Sequence, residues 1–404
     1  MSNRDLDNIL VFAGKGDEDY VSDICTLLGI PLGYTDSRYH EDSDPYFRVD
    51  PKVGGRDVYF VSRFHKNTLH NWIEMLSFAN AALNEGARSV NVFETYLGCS
   101  RQERKSKPGE AVTLQAKAQS IMGAGVSTFN TFAAHADATI LAFNPAVTRF
   151  TSFPLWPAMI RVIYNVAGPD AMVKLVGPDA GAAKSVRDIL SSTTVEQDDR
   201  FDPDLAIVDK DRVHADDDTK SGALVGEVES KLASIFDDES VSGGSICDAS
   251  AICLANGASG AYVALAHPKF AMIDRGLERL AAALKEGTIE KLITTNSCFI
   301  PDDFYDRLGV TPDSGRVIVI PTQPLVAEHI LRSSQSKGAP YLFSSRGVLR
   351  PYLRVRDRVE DVETSERDGT YEDRFRSELE LYRKLAAPVL GPYSAAVGKH
   401  RELT

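Results

Sequence analysis

The chain has 404 residues, 43% hydrophobic and 25% charged, which suits a soluble globular protein of two or three domains with a sizeable core. Its net charge of −12 excludes a general binder of nucleic acid or of an anionic membrane, because both require a basic surface. The five cysteines, Cys25, Cys99, Cys247, Cys253 and Cys298, are scattered and lack C-x-x-C spacing, which argues against a zinc site or a disulfide framework and for reduced thiols in a cytoplasmic protein. The sequence shows no basic segment leading into an apolar one at its start and no run of about 18 apolar residues, so neither a secretory signal nor a membrane span is expected.

Short apolar runs alternate with longer amphipathic ones. Strands are predicted at residues 9–13 (ILVFA), 57–62 (DVYFVS), 89–93 (SVNVF) and 139–143 (TILAF). A second set is predicted at 172–176, 205–208, 232–236, 261–265, 292–295 and 316–320. These runs are brief, rich in Val and Ile and bounded by Gly, Asp or Pro, as buried parallel strands are. Residues 69–85 place Trp72, Met75, Leu76, Ala79 and Leu83 at helical spacing and stop at Gly86. Further helices are predicted at 249–256, 273–285 and 371–385. The twice-repeated alternation predicts two α/β domains with mostly parallel sheets, over residues 1–160 and 161–332. Pro154, Pro157, Gly168 and Pro169 mark the boundary, and a charge-dense helical extension covers 333–404.

The segment LASIFDDESVSGGSI, residues 232–246, carries the clearest chemistry. An apolar strand runs into Asp237 and Asp238, then into Ser242-Gly243-Gly244-Ser245, then into a helix. Glycines let backbone N–H groups crowd round a phosphate, serines add hydroxyl donors, and the helix N-terminus favours an anion. Two carboxylates upstream suit vicinal sugar hydroxyls or a metal. A plain turn would explain Gly-Gly alone, but the full order points to a phosphate site. In SRQERK, Arg101, Arg104 and Lys105 offer cations suited to phosphate or purine, although a solvated basic turn reads the same way.

These segments resemble the ribose-phosphate diphosphokinases, also called phosphoribosyl pyrophosphate synthetases. The resemblance runs collinearly through GGRDVYFVS, NWIEMLSFANAALNEGARSVNVF, SRQERK, AAHADATILAF, GPDAGAAK, AIVDKDR and ALAHPKF, over roughly residues 9 to 332. It implies two tandem phosphoribosyltransferase-like α/β domains and a Mg²⁺-dependent transfer from ATP to ribose 5-phosphate. It assigns Arg101 and Gln102 to ATP and aligns the family's adenine-binding Asp-x-Glu with Asp42 and Asp44. His135 and Asp179 become the metal-linked residues, although a lone histidine or a strand-end aspartate also has ordinary structural roles. Asp237, Asp238, Ser242, Gly243, Gly244 and Ser245 become the ribose 5-phosphate site. Lys210 and Arg212 match the loop cations that stabilise the transferred diphosphoryl group. A homo-oligomer is also implied, with no nucleic-acid or membrane partner. Ala133 and Val241 stand where the family carries aspartates, and residues 195–204 form an acidic insertion, so the chain reads as a divergent relative. The same departures leave open a catalytically weak regulatory homologue, or a diphosphokinase for another pentose phosphate.

Overall fold

The computed structural model describes residues 6–42, 44–191, 199–209, 223–335, 345–364 and 371–391. The chain divides into two units. The first comprises Met1–Pro154, Ser297–Phe299 and Gln323–Phe343; the second comprises Leu155–Asn296, Ile300–Thr322 and Ser344–Thr404.

In the first unit, β1 (Ile9–Ala13), β4 (Asp57–Ser62), β5 (Ser89–Glu94), β6 (Thr128–Phe132) and β7 (Arg149–Phe153) form a parallel sheet in that order. The strands β2 (Thr35–Tyr39) and β3 (Pro45–Val49) make a separate antiparallel hairpin. Helices α1 (Glu18–Leu28), α2 (Thr68–Asn84) and α3 (Thr113–Gly123) follow β1, β4 and β5. The Asn67 side chain caps α2 by accepting from the His70 N–H at 3.4 Å. The buried face of α2 presents Phe78, whose ring lies 5.2 Å from that of Phe12 and 5.0 Å from that of Phe60.

Residues 139–143 do not form the predicted strand. They belong to a 3₁₀ turn, Asp137–Ala142, in which Ile140 and Leu141 are 56% and 84% exposed. The strand at this place in the sheet is β6, TFNTF, whose polar residues conceal it from a reading based on hydropathy. Its polarity is tolerated because it is satisfied. The Asn130 amide donates to Val92 O at 3.1 Å, Thr128 Oγ1 donates to Asn91 Oδ1 at 2.8 Å, and the Asn91 amide donates to Val58 O at 3.3 Å.

The second unit contains α4 (Trp156–Val166), β8 (Val173–Gly177), α5 (Ala183–Leu190), β9 (Phe201–Asp209), β10 (Ala223–Val225) and β11 (Leu232–Glu239). It continues with α6 (Gly244–Ala255), β12 (Gly260–His267), α7 (Asp274–Glu286), β13 (Lys291–Thr295), α8 (Phe304–Leu308) and β14 (Val317–Ile320). The sheet order is β10-β9-β8-β11-β12-β13-β14, parallel throughout except for β10. From β8 the chain winds outward to β9 and β10, then returns to β11 and winds the other way. The order therefore reverses between β8 and β11, and such a switch point opens a crevice at the carboxyl ends of the strands.

Helix α9 (Gln323–Ser334) belongs to the first unit, while α10 (Ser345–Thr364), α11 (Tyr371–Leu385) and α12 (Ala387–Leu390) belong to the second. The C-terminal helices are built into that unit's core. Tyr352 is fully buried and its hydroxyl donates to Pro321 O at 2.7 Å, while the Asn165 amide donates to Val389 O at 2.8 Å. Among the described residues no helix is long and apolar enough to cross a membrane.

His329 on α9 is buried with its ring centroid 5.5 Å from Phe93 and 5.1 Å from Phe153, and its Nδ1 has no hydrogen-bond partner. Burial pushes its pKa down to about 4, so the folded chain keeps it neutral where the unfolded chain takes up a proton. Stability should therefore fall as pH drops below about 6.5 and stop responding to this group below about 4, with a slope of at most about 1.4 kcal/mol per pH unit. Urea melts between pH 7 and 4 should show a shallower loss for His329→Leu than for the unmodified protein; identical pH profiles would contradict this origin.

Candidate active site

At the switch point of the second unit, β11 shows how the sheet delivers polar chemistry. Leu232 to Phe236 are buried, and the next three residues, Asp237, Asp238 and Glu239, emerge half-buried at the carboxyl end. Asp238 N–H donates to Asp237 Oδ1 at 3.0 Å and Glu239 N–H donates to Asp238 Oδ1 at 2.8 Å, which turns the chain out of the sheet. Lys269 Nζ lies 3.5 Å from Glu239 Oε2. On the neighbouring strand β8, Asp179 follows Gly177 and accepts from Ala182 N–H at 3.0 Å, capping the approach to α5.

Burial, the adjoining Asp238 and the charge of Asp179 together push the Asp237 carboxyl up to about 8. The three carboxylates therefore share one electrostatic environment. The neutral form of Asp237 is favoured well above the usual carboxylate range. Among the described residues no group of three or more His, Cys, Asp or Glu is arranged to hold a metal unaided.

The loop that follows is shaped by its glycines and serines. Gly243 N–H donates to Ser240 Oγ at 3.1 Å, and Gly243 has φ of 71°, the left-handed conformation that glycine adopts without strain. Helix α6 begins at Gly244, directly after this turn. The first N–H groups of such a helix lack intrahelical acceptors, and Ser242 and Ser245 flank its start. Asp179, Asp237, Asp238 and Ser242–Ser245 are thus gathered at one edge of one sheet.

In the first unit, Arg101 and Gln102 lie on a short 3₁₀ turn, Ser100–Gln102, beyond the carboxyl end of β5. His135 is exposed beyond the end of the adjacent strand β6, so both segments stand at the same edge of that sheet. Thr113 Oγ1 at the start of α3 donates to Gln102 Oε1. Ala133, with φ of 35°, donates its N–H to Phe153 O at 2.8 Å, which pins the segment leading to His135. Asp42 and Asp44 are exposed at the tip of the β2–β3 hairpin, where Asp44 N–H donates to Asp42 Oδ1 at 3.2 Å. Lys210 and Arg212 lie outside the described residues.

Sequence reasoning missed the support beneath the Arg101 turn. Glu94 ends β5, and its carboxylate accepts from the buried ammonium of Lys117 on α3 at 2.6 and 2.8 Å. A Cβ placed on Gly98 would meet Lys117 Nζ at 3.4 Å and Glu94 Oε1 at 3.6 Å, so the pair lies directly under the loop that leads to Arg101. The available signal was Lys117 at a core-facing position, four residues after Thr113.

Fold and site together define a two-unit α/β protein with a Ser-Gly-Gly-Ser loop and an acidic strand end at a topological switch point. The family model for the N-terminal domain of ribose phosphate pyrophosphokinase matches residues 9–125. The ribose-phosphate pyrophosphokinase of Fusobacterium nucleatum is 28% identical over 297 residues, covering 74% of this chain and 88% of that protein. The ribose-phosphate pyrophosphokinase of Deinococcus radiodurans is 26% identical over 341 residues, covering 83% of this chain and 98% of that protein. A crystal structure of phosphoribosylpyrophosphate synthetase from Mycobacterium smegmatis shares the fold, with a TM-score of 0.70 and 20% identity over 81% of this chain and 99% of that one. Over most of its length the chain is similar to ribose-phosphate pyrophosphokinases.

Lys117→Met strands a buried carboxylate and should cost about 3–5 kcal/mol, most of it recovered when Glu94→Leu is added. Thermal melts of the single and double variants test this, and a single variant as stable as the parent would contradict it. Asp237→Asn acts in the opposite direction. The raised carboxyl pKa means that the folded chain without ligand loses stability as pH rises from the usual carboxylate range towards about 8. At pH 7.5 the variant should melt at least about 2 °C higher than the parent, an advantage that disappears near pH 4.

Proposed function

We propose that the protein transfers the β,γ-diphosphoryl group of ATP to the anomeric hydroxyl of ribose 5-phosphate, giving phosphoribosyl pyrophosphate and AMP. The observation that carries this reading is the gathering of Asp179, Asp237 and Asp238 with the Ser242–Ser245 loop at the switch point of the second unit. The names of the relatives support the same chemistry.

The loop N–H groups and serine hydroxyls receive the sugar's 5-phosphate, and Asp237 and Asp238 accept from the ribose hydroxyls. Both carboxylates accept when ionised, and the raised pKa of Asp237 ties that state to higher pH or to a bound cation. Arg101 and Gln102, with Asp42 and Asp44, are the proposed nucleotide contacts, and Lys210 and Arg212 the proposed partners of the diphosphoryl group. The sugar hydroxyl attacks the β-phosphorus directly and AMP leaves, with no covalent enzyme intermediate.

Magnesium fits the residues present. Asp179, Asp237 and Asp238 are hard oxygen donors, and a bound cation would lower the Asp237 pKa that burial and then the neighbouring carboxylates raise. Mg²⁺ is commonly held by one or two carboxylates together with substrate phosphates, which agrees with the lack of a complete protein-only cluster among the described residues. His135 is the proposed metal-linked residue of the first unit. When bound, the ion neutralises charge on the diphosphoryl group. A homo-oligomeric, cytoplasmic enzyme completes the proposal.

A second reading, a catalytically weak homologue that binds nucleotide and tunes an active partner, is favoured by Ala133 and Val241. Release of AMP from ATP, Mg²⁺ and ribose 5-phosphate separates the two. Sugar-dependent AMP release is expected. In Gly243→Ala the KM for ribose 5-phosphate should rise about tenfold or more with little change for ATP, because alanine is strained at this φ and its Cβ would lie 3.2 Å from Leu280 Cγ. ATP binding without turnover by the unmodified protein would overturn the transferase reading and leave the second one.

A further inference from the structure

Helix α7 packs closely on the phosphate-type loop. A Cβ on Gly276 would lie 2.6 Å from Val241 O, and one on Gly243 would lie 3.2 Å from Leu280 Cγ, so the backbone of α7 is fixed against residues 241–243. Between these two anchors α7 carries Arg279. Its Nη1 lies 2.5 Å from the position a Cβ would take on Gly244, and Ser242 Oγ lies 3.6 Å from the same point. The guanidinium therefore sits over the first residue of α6, on the side shared with the Ser242 hydroxyl. It is also near enough to Cys247 to oppose the burial that pushes that thiol up to about 11.

The position is electrostatically unfavourable for a cation. A helix N-terminus carries about half a positive charge, and cations near it are destabilising. Arg279 is half-buried, and among the described residues its guanidinium has no hydrogen-bond or ion-pair partner. A cation packed against a positive helix end, with no carboxylate within ion-pairing distance among the described residues, is stabilised by an anion that reaches both. Arginine offers a planar fork matched to a terminal phosphate, which backbone N–H groups and serine hydroxyls complement without supplying a full charge.

We infer that Arg279 is a phosphate-binding residue of this loop and sets its preference for a phosphorylated sugar over the free sugar. The inference rests on the reading of Ser242–Ser245 as the sugar-phosphate site and adds the one full positive charge that those four residues lack. The geometry also accounts for Gly244, since any side chain there would displace the guanidinium.

Isothermal titration of the full chain with ribose 5-phosphate, inorganic phosphate, ribose and ATP tests it. Arg279→Gln should weaken ribose 5-phosphate and inorganic phosphate by about 10- to 100-fold, the value of a charge-assisted hydrogen bond, and leave ATP unchanged. Arg279→Lys should retain part of the affinity, and Lys285→Gln, which removes an exposed charge at the far end of α7, should retain all of it. Ribose 5-phosphate bound by Arg279→Gln as tightly as by the parent would overturn the inference while leaving the loop reading intact. Equal weakening for ATP and the sugar phosphate, with a lowered melting midpoint, would assign Arg279 to packing alone and overturn it as well. Failure of the parent to bind ribose 5-phosphate at all would reject the loop reading itself.

Discussion

A parallel sheet covered on both faces confines polar side chains to the ends of its strands, and the crevice for ligands to the carboxyl ends. This constraint organises both units. In β11 five buried residues precede Asp237, Asp238 and Glu239, and in β12 all eight residues are buried. In the first unit Arg101, Gln102 and His135 follow the ends of β5 and β6. Polar residues that stay within the sheet are of a different kind. Asn91, Thr128 and Asn130 bond to one another and to strand carbonyls, and so spend their hydrogen bonds on the fold.

The same division separates structural from functional charge. Asp202 lies beside Lys231 at 2.6 Å and Lys174 at 2.9 Å; burial alone would raise its carboxyl pKa, but the two lysines outweigh it and hold it near 2. Glu94 is matched by Lys117 in the same way. Asp237 faces Asp238 and Asp179 and is driven in the opposite direction. On the cationic side, Arg279 stands over a helix N-terminus with no ion-pair partner among the described residues. Asp202 and Glu94 are offset by lysines within the fold, whereas Asp237 and Arg279 have no such counter-ion beside them among the described residues.

Much of the second unit was legible because its signals are local. Apolar strands of Val and Ile, the Asp-Asp step, Ser-Gly-Gly-Ser and the start of α6 follow one another within 15 residues, each with its own physical cause. The helix at Tyr371–Leu385 was equally readable from its amphipathic spacing. At residues 139–143 apolar content is not strand content: β6 is held by hydrogen bonding, and residues 139–142 of TILAF fall in a 3₁₀ turn with two side chains exposed. The hairpin β2–β3 escaped notice because TDSRY and PYFRV carry little hydrophobic alternation.

By itself, the sequence determined the α/β class, most strands of both sheets, the glycine-dependent loop and the residue types available at each strand end, because propensity, periodicity and turn chemistry act over a few neighbours. Only the tertiary structure decided strand order, and with it that Asp179 and Asp237 meet at a switch point 58 positions apart in the chain. It also decided that α9 returns to the first unit and that Arg279 arrives over Gly244. These outcomes depend on which distant segments share a buried face, and the compensation of a charge depends on what packs beside it, neither of which is encoded in any short stretch of chain.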